Sequence, residues 1–305
     1  MADRSTKVVY VALIGNVLVA VAKFGAAFLS GSSAMLTEAI HSSADTINQV
    51  LLFIGTWRSR TRADASHAFG YGMEVYFWTF VVAVIVLLAG GVVSIWQGVN
   101  QIASPEAIRS PLVSVGVLVL SALFEGSSLA VGYREYKRLV RGRKIHGHAV
   151  SMWRFIKLSK DPNLYESLLE DSAALIGIGL AAVGVLANVY LHALWADGAA
   201  SIAIGLLLIA DSFVIAQATR SLIAGESVAP PVLADIRRQL KEDPRLPSIS
   251  EIKTLHLGPR MIIVTLTIAR ESTESKIDVE QRLRETADRV RSVDPRIKFV
   301  YFGFE

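Results

Sequence analysis

Cysteine is absent from this chain of 305 residues. That absence excludes a disulfide framework and a thiolate metal site at once. Charge is scarce too: Asp, Glu, Lys and Arg make up 19% of the residues, against about 25% in soluble domains. Histidine occurs only 6 times, so any metal site must combine a few imidazoles with Asp, Glu, Asn, Ser or backbone oxygen. The net charge of +4 is small, and its basic residues gather in loops beside apolar segments. That pattern argues for membrane topology and against nucleic-acid binding. No cleavable signal is expected, because the apolar block from about Val8 is too long for a signal-peptide core.

What the chain holds in quantity is apolar residues, 52% of the total. They lie in blocks of roughly 20 residues before position 220, each long enough to cross a bilayer core of about 30 Å. We predict six spans, at about 8–30, 34–57, 75–98, 112–133, 164–189 and 195–219. Short connectors, such as Ser30-Gly31-Ser32-Ser33 and the turn around His192, alternate with long basic loops. Loop 58–74 carries Arg58, Arg60 and Arg62; loop 134–163 carries Arg134, Lys137, Arg138, Arg141, Arg143, Lys144, Arg154, Lys157 and Lys160. The excess of positive charge places both loops and both termini on the cytoplasmic side, and an even number of spans agrees with that.

After Pro230-Pro231 the composition becomes that of a soluble protein. Residues 232–241 form an amphipathic helical pattern, 249–257 and 261–268 read as strands about a Gly258-Pro259 turn, 279–290 as a helix and 297–302 as a strand. The expected architecture is therefore an α-helical membrane protein of six transmembrane helices, residues 1–224. A cytoplasmic α+β domain of order αββαβ, ferredoxin-like, follows at 225–305. That module is too small for an enzyme pocket of its own, which leaves dimerisation or regulation as its expected role, with a passive solubility tail as the alternative.

The chemistry concentrates in two of the spans. Glu38, His41 and Asp45 in span two are spaced three and four apart and share a helix face. Such groups are expensive in hydrocarbon unless something compensates them, and a divalent cation compensates both His41 and Asp45. A buried polar network without metal is the alternative. Span five brings Glu166, Glu170 and Asp171 into its first turns, with Glu170 and Asp171 pointing about 100° apart. Imidazole and carboxylates from two helices build a tetrahedral site that zinc accepts, with manganese, iron(II) and cobalt also open. Glu166 lies near the expected membrane boundary, where solvation alone accounts for it, and Glu38 reads first as a hydrogen-bonding partner of His41 and only second as a ligand.

Several other groups are read as structural or remain open. Lys23 and Glu125 read as an ion bridge or as cavity lining, Asp197 as an interfacial residue, and Asp211 as either a cavity charge or a structural partner. Asp64 and His67, His146-Gly147-His148, and His256 are weak candidates, each poor in neighbouring ligands.

These residues resemble those of the cation diffusion facilitator metal transporters. The run at 15–55 is similar to that family's first two spans, and the likeness continues through HAFGYG (67–72), DPNLYESLLEDSAALIG (161–177) and DGAASIAIGLLL (197–208). The LLED run is most similar to the zinc-transporter-9-like branch. The resemblance implies a multi-pass homodimer in a lipid bilayer that exports or compartmentalises a divalent metal, typically zinc, by exchange against protons. It implies no enzyme activity and no cofactor, the metal being substrate.

The family joins an (H/D)xxxD pair on span two to another on span five. His41 and Asp45 match the first pair; at the second this chain has Ser167 and Asp171. Ser167 departs from the pattern, which leaves the fourth position to Glu170, Glu38 or water. The implied ligand set is His41, Asp45, Asp171, Glu170 and Glu38, with Mn2+ or Fe2+ as alternative substrates. The family's loop site is matched by Asp64 and His67, but Tyr71 stands in place of its second His. Two competing readings are a membrane metalloenzyme, which lacks a HExxH motif here, and a scaffold that has lost transport through Ser167.

Overall fold

A computed structural model describes residues 2–140, 144–145, 148–149, 161–241, 249–268 and 276–305. His146 and Gly147, and the loop residues Arg141, Arg143, Arg154, Lys157 and Lys160, lie outside the described residues. The chain divides into two compact units. A helical unit comprises Met1–Ile54, Trp78–Gly142 and Asn163–Ala218, and a sheet unit comprises Gly55–Phe77, Arg143–Pro162 and Thr219–Glu305.

The long helices are α1 (Ala2–Ser30), α2 (Ser33–Arg58), α3 (Glu74–Ile85), α4 (Val93–Ala103), α5 (Pro111–Val140), α6 (Pro162–Tyr190) and α7 (Ala196–Ile223). Gly31 turns the chain between α1 and α2 at φ 72°, a left-handed conformation that glycine adopts without the Cβ clash. Both α5 and α6 start on proline, whose fixed φ suits a first helical position and whose missing N–H would have had no partner there. A π-helical segment, Val86–Val92, joins α3 to α4, making one rod over Glu74–Ala103.

Among the described residues, five helices are long and apolar enough to cross a membrane: Leu13–Ser30, Glu74–Ala103, Pro111–Arg138, Tyr165–Tyr190 and Ala196–Ile223. These coincide with five of the six expected spans. At 26 residues α2 has the length, but Glu38, His41, Asp45, Asn48 and its Ser and Thr residues dilute the apolar content. The helical unit packs around small and branched side chains, among them Ala26, Ala34, Met35, Val82, Leu118, Ile178, Ala181 and Ile204. Alanine at these positions lets helix backbones approach closely. Large apolar side chains such as Phe28, Leu123 and Val183 face outward, as a lipid-facing surface requires.

The sheet unit follows the expected αββαβ order: α8 (Pro230–Lys241), β3 (Ile249–Gly258), β4 (Met261–Ile268), α9 (Lys276–Val293) and β5 (Ile297–Phe304). A two-residue pair, β1 (Lys144–Ile145) with β2 (His148–Ala149), precedes them. β3 pairs antiparallel with β4, and β4 parallel with β5 through the α9 crossover, giving sheet order β3-β4-β5. Alternate β4 residues Ile262, Val264, Leu266 and Ile268 point inward, as the period of two dictates. Ile262, Val264 and Leu266 meet Ile236, Leu240, Val290 and Ile297 in the core.

Candidate cation site

Helix α2 is pinned at its N-terminal end, ahead of His41 and Asp45. The Asp197 carboxylate at the start of α7 accepts from Ser32 Oγ at 2.5 Å, Ser33 N at 2.5 Å, Ser33 Oγ at 3.0 Å and Ala34 N at 3.4 Å. An acceptor at a helix N-terminus satisfies amides that lack intrahelical partners and complements the helix dipole. Asp197 is therefore a buried cap rather than an interfacial residue.

From that fixed end, His41, Asp45 and Asn48 follow at one-turn intervals and line a common cavity. Glu166 and Glu170 of α6, Asp211 and Ile215 of α7, Val82 and Ala83 of α3, and Val86 complete the lining. The cavity is about 10 Å³, close to the space one water-sized sphere occupies. His41, Asp45 and Glu166 are buried. His41 Nδ1 stands 3.3 Å from Asp45 Oδ1, Asn48 Nδ2 donates to Glu170 Oε1 at 2.8 Å, and the Asp45 and Glu170 carboxyl groups interact directly. On the lining residues six buried polar atoms have no hydrogen-bond partner: both His41 ring nitrogens, both Glu166 oxygens, Asp45 Oδ1 and Asn48 Oδ1. The groups line one cavity without closing on a point: among the described residues no three His, Asp or Glu side chains are placed to hold an ion together.

Of the expected ligands, the structure brings His41, Asp45 and Glu170 together. Asp171 faces elsewhere: Ser128 of α5 donates to its Oδ2 at 2.8 Å, and Ser167 bonds to it from one turn earlier. The 100° step between adjacent helical residues explains the separation, since turning Glu170 toward α2 turns Asp171 toward α5. Glu38 is also withdrawn, its Oε2 accepting from Lys23 Nζ at 2.9 Å. Lys23 is thus paired within α1–α2 rather than with Glu125.

The cavity includes three polar residues outside the expected set: Glu166, Asn48 and Asp211. Glu166 carried a legible signal, because Glu166 and Glu170 repeat the i, i+4 spacing of His41 and Asp45. Its place near a span end favours solvation on sequence grounds, yet the structure buries it fully.

In the sheet unit, Asp64 is consumed by its own loop. Ser66 donates to it through its hydroxyl at 2.7 Å, Tyr71 through its phenol at 2.8 Å and His67 through its amide at 2.8 Å. These bonds hold the Asp64 carboxyl below the usual carboxylate range. Tyr71, in the position of the expected second His, also stacks on His67 at 4.0 Å between ring centroids.

Comparison with known proteins places this geometry in context. The model of the cation efflux transmembrane domain matches residues 9–223. The proton-coupled zinc antiporter SLC30A9, mitochondrial, of Homo sapiens is 33% identical over 254 residues, covering 83% of this chain and 44% of the relative. Metal tolerance protein C4 of Arabidopsis thaliana is 29% identical over 259 residues, 84% of this chain and 55% of the relative. The manganese efflux system protein MneP of Bacillus subtilis is 23% identical over 270 residues, 88% of this chain and 86% of the relative. The chain thus spans about half the length of the zinc antiporter and the plant protein.

Proposed function

Because the chain belongs to the cation efflux family, we propose that it moves a divalent metal cation across a membrane in exchange for protons, binding it in the cavity between α2 and α6. One observation carries this reading. Buried unpaired polar atoms are costly in a membrane-spanning core, and six of them, on His41, Asp45, Asn48 and Glu166, border one cavity of ion size. A divalent cation answers one His41 nitrogen and the oxygens of Asp45 and Glu166 at once, with Glu170 and Asp211 as further carboxylates. Modest side-chain rotations, foremost that of Glu170 away from Asn48, close the shell.

The donor set of one imidazole and several carboxylates favours zinc. Manganese is the second reading, favoured by the excess of carboxylate over imidazole. Binding requires His41 as a neutral ligand and the carboxylates ionised, so metal entry releases protons and protons arriving from the opposite side favour its release. Transport then needs two conformations of similar energy that expose the cavity to opposite sides. In this reading α2 is the sixth span and both termini are cytoplasmic. The ferredoxin-like module at 225–305 serves a homodimer, and the spans occupy 1–224.

The test is zinc and manganese uptake into proteoliposomes under an imposed proton gradient, with His41→Ala and Glu170→Gln for comparison. Gradient-driven zinc flux that both substitutions abolish supports the reading. Manganese flux without zinc moves the substrate and keeps the mechanism. No flux for either metal by correctly inserted protein overturns it.

A further inference from the structure

Lys23 is a buried charge that the cation cavity does not use. None of its surface is exposed, and an ammonium inside a membrane-spanning core is among the costliest groups to place. Its Nζ donates to Glu38 Oε2 at 2.9 Å and to Ser42 Oγ at 2.7 Å. Glu38 is equally buried, and its Oε1 accepts no hydrogen bond. That oxygen abuts Gly177 of α6, where an added Cβ would stand 2.6 Å from it. Glu38 also precedes His41 by one turn on the same helix face. Its carboxylate therefore keeps one oxygen engaged by Lys23 and one unpaired against Gly177, one helical turn before His41. The Lys23 charge in turn acts on His41 and Asp45.

The pair is neutral as a unit, and each half has an opposite effect on a cation nearby. Lys23 without Glu38 repels it; Glu38 without Lys23 attracts it and offers one more ligand to a cavity already rich in carboxylates. A transport site must hold its ion and also let it go, so an extra carboxylate slows release.

On the reading of the cavity as a cation site, we propose that Lys23 is a built-in counter-ion that withholds Glu38 from the transported cation and fixes the charge presented to it. Zinc binding to the purified full-length protein tests this, using zinc alone as the probe with Lys23→Met, Glu38→Gln and the double variant. Lys23→Met tightens zinc about tenfold and Glu38→Gln weakens it about tenfold, as expected for one uncompensated charge near the ion. The double variant returns to within about threefold of the wild type, since neutral residues replace a buried ion pair without leaving an orphan charge.

The opposite signs are decisive, because a pair that only braced the helices would shift both single variants the same way. Weakening by both single variants overturns the proposal. So does a double variant as weak as Glu38→Gln, which would make Glu38 itself a ligand. Should one single variant fail to fold, the other with the double still decides. Failure of the cavity reading is distinguishable, because it shows in the wild type as absent zinc binding or as binding that His41→Ala leaves unchanged.

Discussion

At the residue scale, which carboxylate reaches the cavity is decided by one step of helix rotation. Glu170 and Asp171 are chemically near-equivalent neighbours, yet the first lines the cavity with His41 and Asp45 and the second is held by Ser128 and Ser167. Their substitutions should separate accordingly. If the cavity holds zinc as proposed, Glu170→Gln should lower zinc affinity by about a hundredfold or more, whereas Asp171→Asn, acting through its neighbours, should cost about tenfold. Calorimetric titration of both variants checks the order, and equal losses would place Asp171 among the ligands. A second residue-scale prediction concerns Asp294 and Arg296 in the sheet unit. Burial pushes the Asp294 carboxyl up, but Arg296 outweighs it, donating through its side chain at 2.7–3.1 Å and through its amide at 2.9 Å, and the net result is a lowered pKa. A depressed carboxyl stabilises the fold fully above its ordinary value of 3.8 and loses that contribution as pH falls through the lower folded value. Asp294→Asn should therefore lower the melting temperature at pH 7 and bring it toward the wild type's in acid. A difference that stayed constant down to pH 2 would contradict this linkage.

At the scale of elements, the rod of α3 and α4 meets α7 along glycines. An added Cβ on Gly98 would stand 2.5 Å from the Gly198 carbonyl oxygen, one on Gly198 would stand 2.7 Å from the Gly98 oxygen, and one on Gly205 would stand 2.8 Å from the Gly91 oxygen. Backbone meets backbone here, so nothing flexible gives way. Gly98→Ala should destabilise the protein by about 1–3 kcal/mol, the usual cost of overpacking. Gly116 in α5 has nothing within 4 Å of such a Cβ, so Gly116→Ala serves as the unaffected control in thermal unfolding in detergent. These elements also show what the sequence made legible. Apolar run length located five long helices, and alternation with turn residues located β3, β4, α9 and β5, because each signal is local and periodic. The His41/Asp45 pair was legible for the same reason. The partner positions were not: Lys23 with Glu38, Asp197 with the α2 terminus, and Asp211 with the cavity are contacts between helices 15 or more residues apart, and no periodicity encodes them. Glu166 was legible only in part, since its spacing marked a face but not whether that face was wet.

At the scale of the whole molecule, the division into units cuts across sequence order. The loop between α2 and α3 belongs with the sheet unit, although its residues lie far from β3–β5 in the chain. Ring and backbone contacts tie it there. The Phe69 ring lies 5.4 Å from Phe299 and 6.4 Å from Tyr301, both edge to face. The Gly72 backbone comes so close to Leu257 and Gly258 that any side chain at position 72 would collide. Phe69 and Gly72 thus form an aromatic and backbone latch on the sheet. The latch makes a prediction for the intact protein. Edge-to-face aromatic pairs contribute about 0.5–1.5 kcal/mol each, so Phe69→Ala should raise the population of the released loop about tenfold. Arg60 and Arg62 are exposed on that loop, and cleavage of an opened segment follows its population when reclosing is fast. Limited trypsin digestion of Phe69→Ala should therefore cut at 60–62 about tenfold faster than in the wild type, while the melting of the sheet, whose core of Ile236, Val264, Leu266 and Val290 excludes Phe69, stays unchanged. Equal cleavage rates would show that Phe69 does not hold the loop, and the close approach of Gly72 would then have to do so alone.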